Sequence, residues 1–137
     1  MILVDTNVWS ELVRQRPDKR VVAWEQEHAE ELWLSSVVVG EFLSGVEAMP
    51  QGTRKRLLGE TYETILAIYA DRLIGFDLPA ARRYAAVLTF QEAAGRDPGT
   101  ADTQIAATAL AAGMALATRN TKHFAGLGLD LINPWEA

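Results

Sequence analysis

Short apolar runs alternate along this chain with longer stretches in which apolar residues recur every three or four positions. Five runs have the length and composition of strands: residues 2–4, 32–34, 73–76, 114–118 and 129–132. The stretches between them have the period of helices that bury one face. Because strands separated by helices form βαβ units, the pattern predicts an α/β fold with a parallel sheet covered on both faces.

Capping residues indicate where several helices begin and end. Ser35-Ser36 and Asp77-Leu78-Pro79 precede two of them, as capping residues and an early proline typically do. Thr100 is predicted to cap a further helix, which Gly113 ends. A long amphipathic helix is expected around Leu58 to Tyr69. No long linker divides the 137 residues, so we expect a single domain.

The composition excludes several kinds of site. The chain has no cysteine, which rules out disulfides, zinc–thiolate sites, iron–sulfur clusters and cysteine catalysis. Its two histidines, His28 and His123, are far apart in sequence, so a histidine-rich metal site is not expected. A net charge of −5 argues against a chain-wide electrostatic grip on nucleic acid, although a local basic groove is compatible with it.

Neither a secretory signal nor a membrane span is expected. The apolar run Met1–Val4 leads at once into Asp5, without the basic segment of a signal peptide. No segment approaches the ~18 uninterrupted apolar residues that a membrane helix needs. We therefore expect a cytoplasmic protein.

Three carboxylates follow different predicted strands. Asp5 comes directly after the first strand, Glu41 lies one turn into the helix after the second, and Asp102 lies in the first turn of a later helix. Because ligands of open parallel sheets bind beyond the carboxyl ends of the strands, these acids and Thr118-Arg119-Asn120 are expected at one rim. Taken singly, Asp5 could be a helix cap, Glu41 could face solvent, and the helix dipole could favour Asp102. Three such acids at three strand ends are improbable as independent caps.

Clustered carboxylates favour a bound cation. Close carboxylates raise one another's pKa unless a cation neutralises them. Oxygen ligands without a Cys or His cluster indicate Mg²⁺ or Mn²⁺, which polarise phosphoryl oxygens and lower the pKa of a bound water. These properties suit phosphodiester hydrolysis, so a metal-dependent nuclease is the natural hypothesis.

Two other carboxylate-based α/β enzymes fit the positions less well. A haloacid-dehalogenase-type phosphatase needs a second Asp where Asn7 stands. A response-regulator receiver needs an adjacent acidic pair, which does not precede Asp5. It also needs a phosphoacceptor after the third strand, where Asp77 is predicted to be a helix cap.

Four segments carry a family resemblance. They are ILVDTNVWSEL at 2–12, SSVVVGEFLSGV at 35–46, GTADTQIAATALAAG at 99–113 and ATRNTKHF at 117–124. In this order they resemble the PIN-domain ribonucleases, in particular VapC-type toxins close to the FitB subgroup, over nearly the whole chain. The resemblance implies a PIN-domain fold, a central parallel β-sheet flanked by α-helices, and Mg²⁺- or Mn²⁺-dependent RNA cleavage.

The same resemblance assigns roles to individual residues. Asp5, Glu41 and Asp102 match the acidic residues of the family's metal site, and Asp5 and Asp102 are expected to hold one Mg²⁺ directly. Glu41 is expected to act through water, as a ligand or by orienting the attacking water. Asn120 belongs to the catalytic set but stands where many PIN domains have a fourth acid, so it adds no charge. The other matched positions are expected to orient the carboxylates: Thr6, Asn7 and Thr118.

The resemblance also implies partners. These are an RNA substrate and a DNA-binding antitoxin like VapB or FitA, which alone contacts operator DNA. A homodimer is expected, and a heterotetramer or larger assembly with the antitoxin. Trp9 and the helix Leu58–Tyr69 offer apolar surface, although core packing explains such aromatics equally. Arg14–Arg16 and Arg54–Arg56 are candidate RNA contacts, and Trp135 is expected to pack the tail onto the body.

Two alternative functions stay open at this point. The first is a catalytically weak PIN protein that acts with its antitoxin as a DNA-binding co-repressor. Asn120 favours this alternative, whereas the three retained acids argue against it. The second is a PIN nuclease of RNA maturation outside toxin–antitoxin systems, which the short single-domain architecture disfavours.

Overall fold

Five short strands form one parallel sheet. In a computed structural model that describes residues 1–137, they are β1 (Ile2–Val4), β2 (Leu32–Ser35), β3 (Leu73–Ile74), β4 (Ala115–Ala117) and β5 (Leu131–Ile132). Their order is β3-β2-β1-β4-β5, and every neighbouring pair is parallel. The first strand therefore lies at the centre, and the predicted parallel α/β sheet is confirmed.

Six helices connect and cover the strands. They are α1 (Thr6–Leu12), α2 (Lys19–His28), α3 (Ser36–Glu47), α4 (Thr53–Ile68), α5 (Leu78–Ala93) and α6 (Thr100–Ala112). Two short 3₁₀ turns complete the secondary structure: Ala29–Glu31 follows α2, and Thr121–Phe124 follows β4. Every residue of β1 is buried, although successive side chains of a strand point to opposite faces. The sheet is therefore covered on both faces.

Most predicted helix caps are present, and one is wrong. Ser35 and Asp77 accept hydrogen bonds from backbone N–H groups in the first turns of α3 and α5. Gly113 ends α6 in the left-handed conformation. Thr100, however, is the first residue of α6, and Gly99 occupies the cap position with a φ of 97°. That backbone conformation strongly disfavours a residue with a branched side chain such as threonine.

The edge strands are shorter than their apolar runs. Of residues 73–76 only Leu73 and Ile74 pair, because β2 ends at Ser35, the partner of Ile74. Of residues 129–132 only the last two pair, with Leu116 and Ala117 of β4. An edge strand extends only as far as its single neighbour, so its length depends on that neighbour.

One apolar core lies between the sheet and the helices. Trp9 is buried in it and meets the ring of Tyr69 edge to face, with 5.2 Å between centroids. The core-packing explanation of Trp9 is therefore correct, and its suggested role as apolar surface is wrong. Trp135 is also buried, so the tail packs onto the body as predicted. No helix combines the length and apolar character needed to cross a membrane.

Candidate active site

A cavity of about 400 Å³ opens beyond the carboxyl ends of the central strands β1 and β4. All but one of its lining residues are polar, the exception being Trp135. The structure brings six of the seven predicted site residues to its wall: Asp5, Thr6, Asn7, Glu41, Asp102 and Asn120. The seventh, Thr118, is buried and hydrogen-bonded to Asp5.

Asp5 stands at the junction of β1 and α1, and its two carboxylate oxygens have different partners. Oδ1 accepts a hydrogen bond from the backbone N of Thr6 at 2.8 Å, which caps α1. Oδ2 accepts from Thr118 Oγ1 at 2.8 Å and from Asn7 Nδ2 at 3.3 Å. Only 4% of Asp5 is exposed. Asp5 is therefore a helix cap, as the simpler explanation held, and also a wall of the cavity.

A small polar network joins the segment after β1 to the segment after β4. Thr118 Oγ1 accepts from Asn7 Nδ2 at 3.3 Å and from the backbone N of Asn120 at 3.1 Å. Asn7 Oδ1 in turn accepts from the backbone N of Arg119 at 3.2 Å. These contacts fix the orientation of Asp5 Oδ2 from two chain segments.

Glu41 reaches the cavity from α3. Its side chain is exposed, so the solvent-facing alternative describes its environment correctly. It nevertheless lines the cavity, because Thr6 Oγ1 donates a hydrogen bond of 2.5 Å to Glu41 Oε1. This bond holds the carboxylate beside the helix that Asp5 caps.

Asp102 enters from the first turn of α6, as predicted. Its side chain is 24% exposed, and its Oδ2 lies 3.8 Å from Nδ1 of His123 in the 3₁₀ turn after β4. Sequence analysis did not associate His123 with the acids. The contact depends on how that turn folds back over α6, which no local pattern reveals.

Burial and mutual repulsion weaken the acidity of two of these carboxyl groups. Burial, followed by the charges of Asp5 and Glu41, raises the pKa of Asp102 to about 6, although His123 acts in the opposite direction. Burial also raises the pKa of Asp5, against the lowering effect of the hydrogen bonds from Thr118 and Thr6. A cation in the cavity would relieve this repulsion.

Glu11 lines the cavity wall and was not predicted from the sequence. It is buried, and it accepts hydrogen bonds from Arg14 Nη1 at 3.1 Å and from the backbone N of Asp18 at 2.9 Å. Its position in the sequence could have indicated this, because Glu11 follows Asn7 by four residues and such residues lie on one side of a helix.

The basic residues are divided between the cavity and other surfaces. Two basic runs were predicted to contact RNA. From the run Arg14–Arg16, Arg14 lines the cavity, whereas no residue of Arg54–Arg56 does. Arg119, which was expected at this rim, also lines the cavity, and its guanidinium lies 4.9 Å from the ring centroid of Trp135.

The donor set fits a hydrated cation better than a cage of side chains. No three His, Asp or Glu side chains are arranged so that together they could hold a metal ion. Three carboxylates of the cavity wall are shielded from solvent: Asp5 and Glu11 are buried and Asp102 is partly so, whereas Glu41 is exposed. Glu11 already accepts hydrogen bonds from Arg14 and from the backbone of Asp18, which leaves Asp5 and Asp102 as the shielded donors for a cation. Mg²⁺ commonly takes one or two protein carboxylates and keeps water in its other positions. The oxygen donors present suit that mode of binding.

Comparison with known protein families identifies the family of the chain. The family model described as the PIN domain matches residues 2–128. The chain belongs to the PIN-domain family. Its central parallel sheet flanked by helices is the PIN-domain fold, and the family resemblance stated from the four sequence segments is confirmed.

Individual relatives match this PIN domain over its whole length. It is 44% identical to the VapC ribonuclease Y4jK of Sinorhizobium fredii, over 99% of both chains. It is 39% identical to the toxin FitB of Neisseria gonorrhoeae, over 98% of this chain and 99% of FitB. The crystal structure of FitAcB from that organism matches with a TM-score of 0.92, 39% identity and full coverage of both chains.

A more distant relative was solved with DNA. The structure of VapBC2 from Rickettsia felis, bound to a DNA fragment from their promoter, matches this PIN domain with a TM-score of 0.82. The two chains are 26% identical, and the match covers 97% of this chain and 98% of the other.

Proposed function

We propose that this PIN domain is the toxin of a type II toxin–antitoxin system, an Mg²⁺-dependent endoribonuclease that a cognate antitoxin inhibits. The observation that carries the proposal is the meeting of Asp5, Glu41 and Asp102 at one cavity beyond the central strands. Similarity to a VapC ribonuclease and to the toxin FitB supports both the reaction and the biological role. The cavity wall draws on positions from Asp5 to Trp135, which supports the further proposal that residues 1–137 act as one domain.

In this proposal Asp5 and Asp102 hold one Mg²⁺, or Mn²⁺ in its place. When bound, such an ion polarises a phosphoryl oxygen and lowers the pKa of a water molecule. Thr118 and Asn7 orient the Asp5 carboxylate through the hydrogen bonds to its Oδ2. Thr6 directs the Glu41 carboxylate towards the cavity.

The two outer residues of the site have different tasks. The exposed Glu41 carboxylate orients the water that attacks phosphorus. The Asn120 side chain lines the cavity as a neutral amide, which is why we propose one ion and not two.

An RNA cleavage assay on antitoxin-free protein tests this function. We expect cleavage with Mg²⁺ or Mn²⁺, none with EDTA, and none by Asp5→Asn, whose amide oxygen can still cap α1. Asp71→Asn is the matched control, because Asp71 is exposed and precedes β3, at the opposite end of the sheet from the cavity. Full activity of a folded Asp5→Asn variant would contradict the assigned site, and cleavage in EDTA would contradict the metal requirement.

The antitoxin is expected to resemble VapB or FitA, and to contact operator DNA on behalf of the complex. Similarity to chains of the solved FitAcB structure and of VapBC2 bound to promoter DNA supports such a partner. A net charge of −5 gives this chain little attraction for DNA of its own. Because the substrate is cellular RNA, we place the activity in the cytoplasm.

A homodimer, and a heterotetramer or larger complex with antitoxin, complete the proposal. Helix α4 leaves Leu57 51% exposed and Ile68 60% exposed. The two residues are three helical turns apart and therefore lie on one side of α4. This exposed side is a candidate dimer contact, whereas the buried Trp9 is not.

A second candidate is a co-repressor that has little catalytic activity. The neutral Asn120 and the DNA-bound VapBC2 relative favour it. Calorimetry separates the two functions, since a nuclease must bind Mg²⁺ or Mn²⁺ at millimolar concentration and a pure co-repressor has no such need.

A further inference from the structure

Arg119 is the arginine of the cavity wall that has no carboxylate partner. Two arginines line the cavity. Arg14 is paired with Glu11 at 3.1 Å. Arg119 forms no ion pair, although Asp5, Glu41 and Asp102 line the same cavity.

The Arg119 side chain stacks on Trp135. The guanidinium lies over the indole ring at 4.9 Å from its centroid, an arrangement in which the ring face attracts the cation. Trp135 is only 8% exposed, and its backbone N donates to Asn133 Oδ1 at 3.0 Å, so the ring has a fixed position. The backbone N of Arg119 is itself bonded to Asn7. Both ends of the stacked pair are therefore anchored.

Stacking leaves the polar edge of the guanidinium available. The five N–H donors of arginine lie in the plane of the group, whereas the indole contacts its face. Arginine also stays charged at any physiological pH. The cavity thus presents one permanent cation with free donors beside a group of carboxylates.

We propose that Arg119 binds a backbone phosphate of the RNA next to the scissile bond, and that Trp135 is the positioning residue for Arg119. The inference rests on the proposed nuclease function and adds the residue that anchors the substrate strand. A phosphate matches the planar fork of arginine with two parallel hydrogen bonds. Since Asp5, Glu41 and Asp102 repel a polyanion, a fixed cation on the same wall favours the approach of the strand.

RNA binding measured apart from cleavage tests the role of Arg119. Fluorescence anisotropy of a labelled single-stranded RNA is recorded with Asp5→Asn protein and Mg²⁺, between about 50 and 200 mM salt. Adding Arg119→Ala should lower the affinity on the order of tenfold. It should also flatten the dependence of log affinity on log salt by about 0.7, the value for one lost phosphate contact on a single strand. Arg119→Lys keeps the charge but not the planar fork. Its RNA affinity should therefore lie between that of the Asp5→Asn protein and that of the same protein carrying Arg119→Ala.

Arg83→Ala is the matched control. Arg83 is exposed on α5, lies outside the cavity wall and forms no ion pair, so its loss removes the same charge elsewhere. Equal losses of RNA affinity in Arg83→Ala and Arg119→Ala would show that the loss comes from the change in net charge alone, and would overturn the proposal. An unchanged affinity and salt slope in Arg119→Ala would also overturn it.

Substitutions of Trp135 test its positioning role. Trp135→Phe keeps an aromatic face, so we expect RNA affinity close to that of the parent protein. Trp135→Leu keeps apolar bulk but no aromatic face, and it should lose affinity as Arg119→Ala does. Combining Trp135→Leu with Arg119→Ala should cause no further loss. If Trp135→Leu lowers only the melting temperature and leaves the salt slope unchanged, Trp135 is a packing residue and its positioning role is wrong.

Cleavage kinetics in the otherwise native protein separate this inference from the function on which it rests. We expect Arg119→Ala to raise KM by more than it lowers kcat. If the parent protein cleaves RNA and Arg119→Ala leaves kcat/KM unchanged, the nuclease function stands and the inference fails. If the parent protein neither binds nor cleaves RNA, both fail.

Discussion

Asp102 carries a negative charge that its surroundings in the folded protein disfavour. Burial and the neighbouring carboxylates raise its pKa from 3.8 to about 6. Between these two values the folded chain keeps a proton that the unfolded chain releases. The free energy of unfolding therefore falls as pH rises through this window, and the full loss is present at neutral pH.

Asp102→Asn should consequently stabilise the metal-free protein while abolishing RNA cleavage. At neutral pH and above we expect the free energy of unfolding to rise by about 1–2 kcal/mol, a value reduced for the partial exposure of the side chain. Below the pKa of the unfolded carboxyl group the variant and the parent should melt together. Thermal unfolding in EDTA at both ends of this range checks the prediction. A difference in melting temperature that does not vary with pH would contradict the electrostatic cause.

The sequence allowed the acidic residues to be predicted but not every neighbour. Asp5, Glu41 and Asp102 could be placed together because each follows a recognisable strand or helix start, and the ends of parallel strands share one edge. His123 and Trp135 could not, because both reach the site only when the last part of the chain folds back over the sheet.

At the scale of elements, helix α3 positions Glu41, and its N-cap residue and one of its glycines affect its stability in opposite directions. Ser35 is buried and caps the helix through a hydrogen bond from the backbone N of Val37 at 3.1 Å. Gly40 lies in the middle of the helix, where an added Cβ would meet no atom within 4 Å. The cap strengthens the helix, whereas the glycine weakens it.

Two alanine substitutions, one at the N-cap of α3 and one inside the helix, are therefore expected to change the free energy of unfolding in opposite directions. Ser35→Ala should lower the free energy of unfolding by about 1 kcal/mol. Gly40→Ala should raise it by up to about 1 kcal/mol, because alanine is the better helix former and the space is open. Urea denaturation of both variants beside the parent measures the two values. A lower free energy of unfolding in Gly40→Ala would contradict the expectation that this position of the helix accepts a Cβ atom.

Element boundaries were predictable only where the signal is local. The caps Ser35 and Asp77 and the left-handed Gly113 depend on neighbouring residues alone, and all three are present. The lengths of β3 and β5 depend on the strands beside them. The strands predicted from the apolar runs were therefore too long. At the start of α6 the backbone of Gly99 overrides the capping preference of Thr100.

At the scale of the whole molecule, a bound ion should stabilise the fold. A ligand that binds only the native state adds RT ln(1 + [L]/Kd) to the free energy of unfolding, about 2.7 kcal/mol at one hundred times Kd. We expect Mn²⁺ to raise the melting temperature of the parent protein and of Asp71→Asn, but not that of Asp5→Asn. Differential scanning fluorimetry across a Mn²⁺ titration measures this. An equal rise in Asp5→Asn would place the ion elsewhere on the protein.

The central position of β1 also determines when the site comes into existence. The ribosome makes this strand first, yet β1 pairs on one side with β2 and on the other with β4. The hydroxyl that orients Asp5 belongs to Thr118, which is 113 residues later in the chain. A growing chain folds from its N-terminus as synthesis proceeds. Until Thr118 has been synthesised, the nascent polypeptide therefore carries Asp5 without the assembled cavity.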